Sequence, residues 1–270
     1  MFKLTLRVPS SIPLELDGIT PDRVASLSEL EVARLPVLHG NRSEQLGEFF
    51  DVTTRTLPKA DLQFAGDTGH VKGIAARMRG GFIHVEGNVG MHAGAQMSGG
   101  TLVVGGGAGD WLGSEMSGGT IDVRHSAGNQ VGAAYRGSRR GMTGGTILIR
   151  GSAGDELGLL MRRGTIVVQG DCGEFAGASL IAGTIALLGQ IGGRLGAGMK
   201  RGTIITNREP VLPPSFKFAC EYRPSILHLL KEQLASIGAT GSFGSGSVRC
   251  YRGDLLTGGR GEVLVTSHGS

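Results

Sequence analysis

Few residues in this sequence have the types and spacing that chemistry demands. Its seven histidines (His39, His70, His84, His92, His125, His228 and His268) include no His-x-His or His-Glu-x-x-His pair, the spacings that bring two imidazoles onto one metal. They read as surface or turn residues. The three cysteines, Cys172, Cys220 and Cys250, have no paired spacing and an odd count, which argues against a disulfide framework and a zinc ribbon. Gly105-Gly106-Gly107-Ala108-Gly109 resembles a phosphate-cradling loop, yet no helix follows it to supply the anion site. Asp110, Asn129, Asp155 and Glu174 occupy one position of a repeated unit, interrupted by Met91 and Gly193. They fit either a ladder of turn caps or a carboxylate cluster of the kind used for calcium binding or acid/base work on polysaccharides. An aromatic content of 5% weighs against sugar stacking.

The basic residues are more suggestive. Arg162, Arg163, Lys200 and Arg201, like Arg79, stand just before a recurring glycine, and Arg136, Arg139 and Arg140 crowd into one insertion. Stacked turns would bring the first four within about 10 Å of one another. Together the seven form a candidate cofactor-binding strip, either a solvated or subunit-facing charge edge or a surface that tracks an anion. No catalytic residue and no metal ligand is assigned.

What positions these residues is a repeat. A Gly-Thr pair (Gly-Phe once) recurs at Gly81, Gly100, Gly119, Gly145, Gly164, Gly183 and Gly202, in steps of 19, 19, 26, 19, 19 and 19 residues. Fixed self-similarity of this length marks a solenoid. Two and four residues after each anchor fall apolar, mostly β-branched residues, such as Ile121 and Val123, the alternation of a strand with one face inward. The position between them has no fixed polarity: His84, Val103, Asp122, Leu148, Val167, Ala186, Ile205. Glycines recur six (His125 excepted), nine and thirteen residues after the anchor, implying bends with positive φ or backbone too close for a Cβ. Met78, Met97, Met116, Met142, Met161, Leu180 and Met199 form a further column, an unbranched core ladder that needs no cofactor. One short strand per unit leaves no room for a crossover helix. The unit must stack on its neighbours as a right-handed parallel β-helix, all-β in class.

The ends differ from the middle. We divide the chain into an N-terminal cap of strands and a short helix (1–45), the solenoid (46–207) and a C-terminal extension (208–270). Thr20 and Pro21 predict a helix start, His39-Gly40-Asn41 a turn, and Leu46 to Val52 the opening of the solenoid. In the extension, Ile226, Leu229, Leu230, Leu234 and Ile237 make the stripe of an amphipathic helix that covers an end or flank of the rod, followed by a glycine-serine stretch and a hairpin of Val248–Tyr251 with Glu262–Val265. Residues 135–141 are the seven extra residues of the long step, and insertions in solenoids map to a loop on one face. A net charge of +4 permits acidic partners, but aromatic stacking platforms for nucleic acid are lacking. No leader and no apolar run near the roughly 20 residues of a membrane span is found, so the chain reads as soluble and cytoplasmic.

The run His39-Gly40-Asn41 … Leu46-Gly47-Glu48-Phe49-Phe50-Asp51-Val52, followed by the Met-x-Gly-Gly-Thr-Ile turns and their glycine columns, resembles the C subunit of formylmethanofuran dehydrogenase. The resemblance extends to the carboxy-terminal β-helix domain of glutamate synthase's large subunit. Arginine richness, the basic insertion and the long extension make the chain most similar to the bacterial branch, the C subunit of the formyltransferase/hydrolase complex of methylotrophs. The resemblance implies a cytoplasmic hetero-oligomer with A, B and D subunits in one-carbon metabolism and formaldehyde oxidation. Such a complex moves a formyl group from formyl-tetrahydromethanopterin to a methanofuran-type carrier and hydrolyses the product to formate. It places the hydrolase in the A subunit and the transferase in the D subunit, so no catalytic residue carries onto this chain, which would be a scaffold binding no cofactor of its own. Two other readings stand beside it: the C subunit of an archaeal tungsten- or molybdenum-dependent dehydrogenase, and a stand-alone β-helix enzyme acting on polysaccharide.

Overall fold

The structure is a computed structural model that describes residues 1–7, 12–54, 61–236, 238, 243 and 246–266, without the side chains of 233 and 234. The chain begins with β1 (Phe2–Leu6), β2 (Leu14–Glu15), α1 (Pro21–Val24), α2 (Glu29–Ala33), β3 (Pro36–His39), β4 (Arg42–Gln45), α3 (Leu46–Phe49) and β5 (Phe50–Thr54). The repeat follows as β6 (Leu62–Ala65), β7 (Val71–Lys72), β8 (Phe82–Val85), β9 (Thr101–Val104), β10 (Thr120–Val123), β11 (Thr143–Ile149), β12 (Arg163–Val168), β13 (Thr184–Leu187) and β14 (Thr203–Thr206). The chain closes with β15 (Lys217–Tyr222), α4 (Ile226–Ser236), β16 (Val248–Gly253) and β17 (Gly261–Thr266). Strands dominate, and 13 of them join one sheet in the order β15-β16-β17-β14-β13-β12-β11-β10-β9-β8-β6-β1-β5. A smaller sheet, β4-β3-β2-β7, lies at the N-terminal end.

From β6 to β14 each strand pairs in parallel with the next, β7 aside, and like residues face like: Ile121 meets Leu102 on one side and Ile147 on the other. A second line of parallel bridges runs Val89, Ala108, Ala127, Ala153, Cys172, Ile191. Cys172 is therefore a small rung of the wall, and burial pushes its thiol up to about 12. The inward columns are fully buried, as are Met78, Met97, Met116, Met142, Met161, Leu180 and Met199.

The anchor glycines and the methionines explain one another. Gly119 has φ +88, and a Cβ there would lie 2.7 Å from Met97 Cε and 2.7 Å from the Gly100 carbonyl oxygen. Each methionine methyl is roofed by the anchor glycine of the following turn, so neither column tolerates drift in period. The nine-residue glycine column has another cause. At Gly128 a Cβ would sit 2.1 Å from Asp110 Oδ1, at Gly154 2.2 Å from Asn129 Oδ1 and at Gly173 2.1 Å from Asp155 Oδ1. Those oxygens accept hydrogen bonds from the backbone N–H of Asn129 (2.7 Å), Asp155 (2.8 Å) and Glu174 (2.7 Å). The shared Asp/Asn position is thus a ladder of caps between turns. A parallel ladder runs through Asn88, Ser126, Ser152 and Asp171, which cap Gly107, Ser152, Asp171 and Gln190.

The column without fixed polarity marks a boundary on the outer sheet face. His84, Val103 and Asp122 are half-buried, whereas Leu148, Val167, Ala186, Ile205 and Leu264 are buried under Leu227 and Leu230 of α4, Phe243, Val248 and Cys250. The extension therefore covers a flank over the C-terminal turns. Arg150 marks the edge of this cover: it grips Asp122 by Nε and Nη2, both at 3.0 Å, and donates from Nη1 to the Gly238 carbonyl at 2.7 Å.

Three expectations change. The stripe that packs is Leu227 with Leu230, leaving Ile226 and Leu229 exposed, because these i, i+3 neighbours meet the apolar column beneath. Leu234 and Ile237 lie outside the described side chains, as does most of the glycine-serine stretch. The segment from Leu46 forms α3 and then β5, which pairs antiparallel with β1 at the sheet edge and so does not open the parallel stack. The hairpin gains a third strand, β15, and β17 pairs in parallel with β14 as if it were one more turn.

That last turn still leaves an orphan donor. In the repeat, Ser179 N–H bonds to Ala197 of the following turn; the equivalent Gly198 N–H has no turn to follow. Asp254, buried, accepts it through Oδ2 at 3.0 Å and takes Leu256 N–H on Oδ1 at 2.9 Å. Burial pushes the carboxyl up, and the hydrogen bonds from Gly198, Leu256 and Ser215 outweigh it, so it ionises below the ordinary 3.8. A carboxyl so lowered stabilises the fold above its ordinary value, and that contribution is lost as pH falls through the folded value. Asp254→Ala is expected to cost about 2 kcal/mol at neutral pH and to flatten the acid limb of a denaturation series below pH about 4. Gly119→Ala, which meets both backbone and Met97, is expected to cost about 2–3 kcal/mol in chemical denaturation.

Candidate functional site

The seven basic residues of the sequence pattern fall into two groups. Arg162 and Arg163 enter β12, where both backbone N–H groups reach the Met142 carbonyl (2.8 and 3.3 Å), and Lys200 N–H reaches Leu180 (2.8 Å). These bonds fix Arg162, Arg163, Lys200 and Arg201 on one edge of the stack, two turns or roughly 10 Å apart, with Ile181 and Ala182 between. All four are exposed, and none forms an ion pair among the described residues. Lacking an internal partner, these charges lower the cost of binding an external anion.

Arg136, Arg139 and Arg140 are also exposed, but their loop is tethered towards the turns that precede it. Tyr135 N–H donates to Glu115 Oε1 at 3.3 Å, the Tyr135 hydroxyl lies 2.9 Å from His92 Nδ1, and the Tyr135 ring stacks on Trp111 at 5.0 Å between centroids. Burial would raise Glu115, but hydrogen bonds from Ser138, Gln96 and Tyr135 bring it below the ordinary carboxyl range. The loop arginines thus hang from the corner of earlier turns, whereas Arg162 to Arg201 occupy later ones.

This aromatic cluster is the feature that residue spacing leaves unread. His92 and Trp111 are 19 residues apart in one column, both at positive φ (64° and 63°), a conformation bulky residues rarely adopt. The strain is borne because each N–H bonds to the following turn, His92 to Asp110 and Trp111 to Asn129, both at 2.9 Å. Tyr135 completes the stack. Its hydroxyl is pushed up to about 12 by burial and then by the Glu115 charge, and His92 is held below its ordinary 6.5 by burial and then by Lys72. A shallow cavity of about 280 Å³ beside them is lined by Glu15, Asp17, Lys72, Arg77, Gln96 and Tyr135 among others. Its charges are already matched, Lys72 with Glu15 at 3.5 Å and Arg77 with Asp17 at 2.7 Å. Among the described residues no cluster of three metal-ligating side chains occurs.

Comparison with known proteins places the chain by its sequence and fold. The family model described as the GXGXG motif matches residues 83–211. The C subunit of tungsten-containing formylmethanofuran dehydrogenase 2 from Methanothermobacter thermautotrophicus is 38% identical over 95 residues, 34% of this chain and 35% of that protein. The C subunit of molybdenum-containing formylmethanofuran dehydrogenase 1 from Methanothermobacter marburgensis is 38% identical over 93 residues, 34% of this chain and 23% of that one. The matched stretch spans about a third or less of these curated relatives. A solved structure reaches much further: a chain of the formyltransferase/hydrolase complex of Methylorubrum extorquens, crystallised with methylofuran, matches 98% of this chain and all of its own length, at 35% identity and a TM-score of 0.87. The chain belongs to the family of formylmethanofuran dehydrogenase C subunits.

His92, half-buried, is one anchor of the tether that holds the basic loop, through its ring contact with the Tyr135 hydroxyl. Its lowered pKa means the unfolded state takes up a proton more readily than the folded one, so its contribution is present above about 6.5 and lost as pH falls below it. Replacing His92 with Gln is expected to reduce the loss of thermal stability between pH 7 and pH 5, measured by differential scanning calorimetry; an unchanged pH slope would contradict the assignment.

Proposed function

We propose that this chain is the non-catalytic structural subunit of a formyltransferase/hydrolase complex acting in one-carbon metabolism in the cytoplasm. Its repeat serves there as a right-handed parallel β-helix, the stack of β6 to β14 within the middle division (46–207), between an N-terminal cap (1–45) and a C-terminal extension (208–270). The complex, with A, B and D subunits, converts formyl-tetrahydromethanopterin to formate by way of a methanofuran-type carrier. The observation that carries the reading is the end-to-end match to a chain of such a complex, extension included. An archaeal tungsten or molybdenum enzyme is the second reading, favoured by curated relatives whose likeness is confined to about a third of the chain.

In this reading the unpaired edge of Arg162, Arg163, Lys200 and Arg201, with the loop of Arg136, Arg139 and Arg140, is a surface that guides the acidic tail of the carrier. Guanidinium forks suit carboxylates, and a line of them on a rigid stack attracts a polyanion without a deep pocket. Charge reversal of Arg162, Arg163 and Arg201 together is expected to raise the apparent KM for the carrier about ten-fold at low ionic strength while leaving kcat near its normal value. Steady-state kinetics of the assembled complex at two salt concentrations tests this, and an unchanged KM refutes it.

A further inference from the structure

A second cationic feature lies at the other end of the same edge. A cleft of about 510 Å³ opens between the Asp17–Arg23 segment and the turn corner carrying Arg77 and Arg79. Its walls are held firmly. Pro21, buried at the start of α1, packs on the corner at Gly81, where a Cβ would lie 2.5 Å from Pro21 Cβ. Gly18, at φ +80, lets the Arg23 side chain cross it, for a Cβ there would lie 2.2 Å from Arg23 Nη1. Arg77 is committed within the protein, with Nη1 on Asp17 Oδ2 at 2.7 Å and Nε on Gln96 Oε1 at 3.1 Å.

The other charges of the cleft are uncommitted. Arg23, Arg79 and Asp22 are exposed, and none makes an ion pair among the described residues. Asp22 and Arg23 are adjacent on α1, and neighbouring helical positions do not face each other, so the carboxylate does not cancel the guanidinium. The cleft therefore presents two free guanidinium forks and one free carboxylate. The complement of that set is a small molecule with two carboxylates and one ammonium group, since the forks match carboxylates in pairs of hydrogen bonds and Asp22 accepts from the amine. We propose that this cleft binds an acidic amino acid, Arg23 and Arg79 taking its two carboxylates and Asp22 its ammonium. The site stands apart from the strip: Arg79 shares a column with Arg162 but lies four turns, about 19 Å, before it.

Isothermal titration calorimetry on the protein in its native assembly tests this with three probes: L-glutamate, glutarate, which lacks the ammonium, and inorganic phosphate. The expected result is saturable glutamate binding, tighter than that of glutarate or phosphate. Arg23→Gln and Arg79→Gln should each weaken it about five-fold, the upper range for an exposed ion pair. Asp22→Asn should abolish the preference for glutamate over glutarate, and Arg201→Gln should change nothing. No saturable binding, equal binding of glutamate and glutarate to the unaltered protein, or an equal loss in Arg201→Gln would overturn the proposal. None of these outcomes bears on the carrier KM, so the two ideas fail separately.

Discussion

The structure depends on one constraint, that every turn repeats the backbone path of its neighbour closely enough for like atoms to meet. Parallel strands spaced about 4.8 Å apart leave no slack. Here the requirement is doubled, because the strand ladder on one wall and the bridge ladder through Ala108, Ala127 and Ala153 on another must keep the same period. Glycine enforces it. The anchor position accepts the methionine methyl of the turn before, and the nine-residue position accepts an Asp or Asn oxygen, so a side chain at either would push a whole turn off its neighbour. Once the spacing is fixed, the polar groups at each corner find partners in the adjacent turn, and no water-filled interior is needed.

That constraint also explains how much can be read from residues alone. The strands, the inward columns, the methionine ladder and the caps at Asp110, Asn129 and Asp155 follow from period and polarity, since in a stack a residue's neighbours are its counterparts 19 positions away. What escapes is what breaks the repeat or lies outside it. The cap ladder through Asn88, Ser126, Ser152 and Asp171 is spelled in three residue types, so no single letter recurs to betray it. The helix stripe differs from its periodicity because Leu227, not Leu229, meets the outer face, and only the tertiary surface of Leu148 and Val167 decides that. The Tyr135 contact with His92 spans 43 residues and violates the repeat altogether; its one trace in the sequence is an aromatic residue at the start of an insertion.

A stack of this type is stabilised turn by turn, through intrinsic terms and nearest-neighbour interfaces. Its two ends therefore need separate solutions. At the C-terminal end β17 imitates a turn in strand register with β14, while Asp254 replaces the carbonyl that a further turn would have offered Gly198. A carboxylate can substitute for a carbonyl there because it is buried with donors on both oxygens. At the opposite end β1 pairs in parallel with β6, and antiparallel β5 seals the edge. An open parallel edge would present unpaired N–H and C=O groups to any other chain; turning the final strand antiparallel ends the repeat.

The same logic says where function can reside in such a molecule. Columns are closed to chemistry: each interior position is occupied by its counterparts above and below, and each corner cap is spent on the next backbone N–H. Only residues that depart from their column are at liberty. In the column of Ser98, Ser117 and Thr143, the departures are Arg79 at one end and Arg162 and Lys200 at the other, all exposed. The insertion at 135–141 is a departure in length, and the Asp17–Arg23 segment lies outside the repeat. The uncommitted charges of the strip and of the cleft are found at these places and, for Arg163 and Arg201, in the neighbouring column of Gly80, Gly99, Gly118 and Gly144. A charge that the stack does not need for its own stability costs little at a solvated edge, so it can be held there for an external anion, and the rigidity of the period then sets the spacing at which that anion is met.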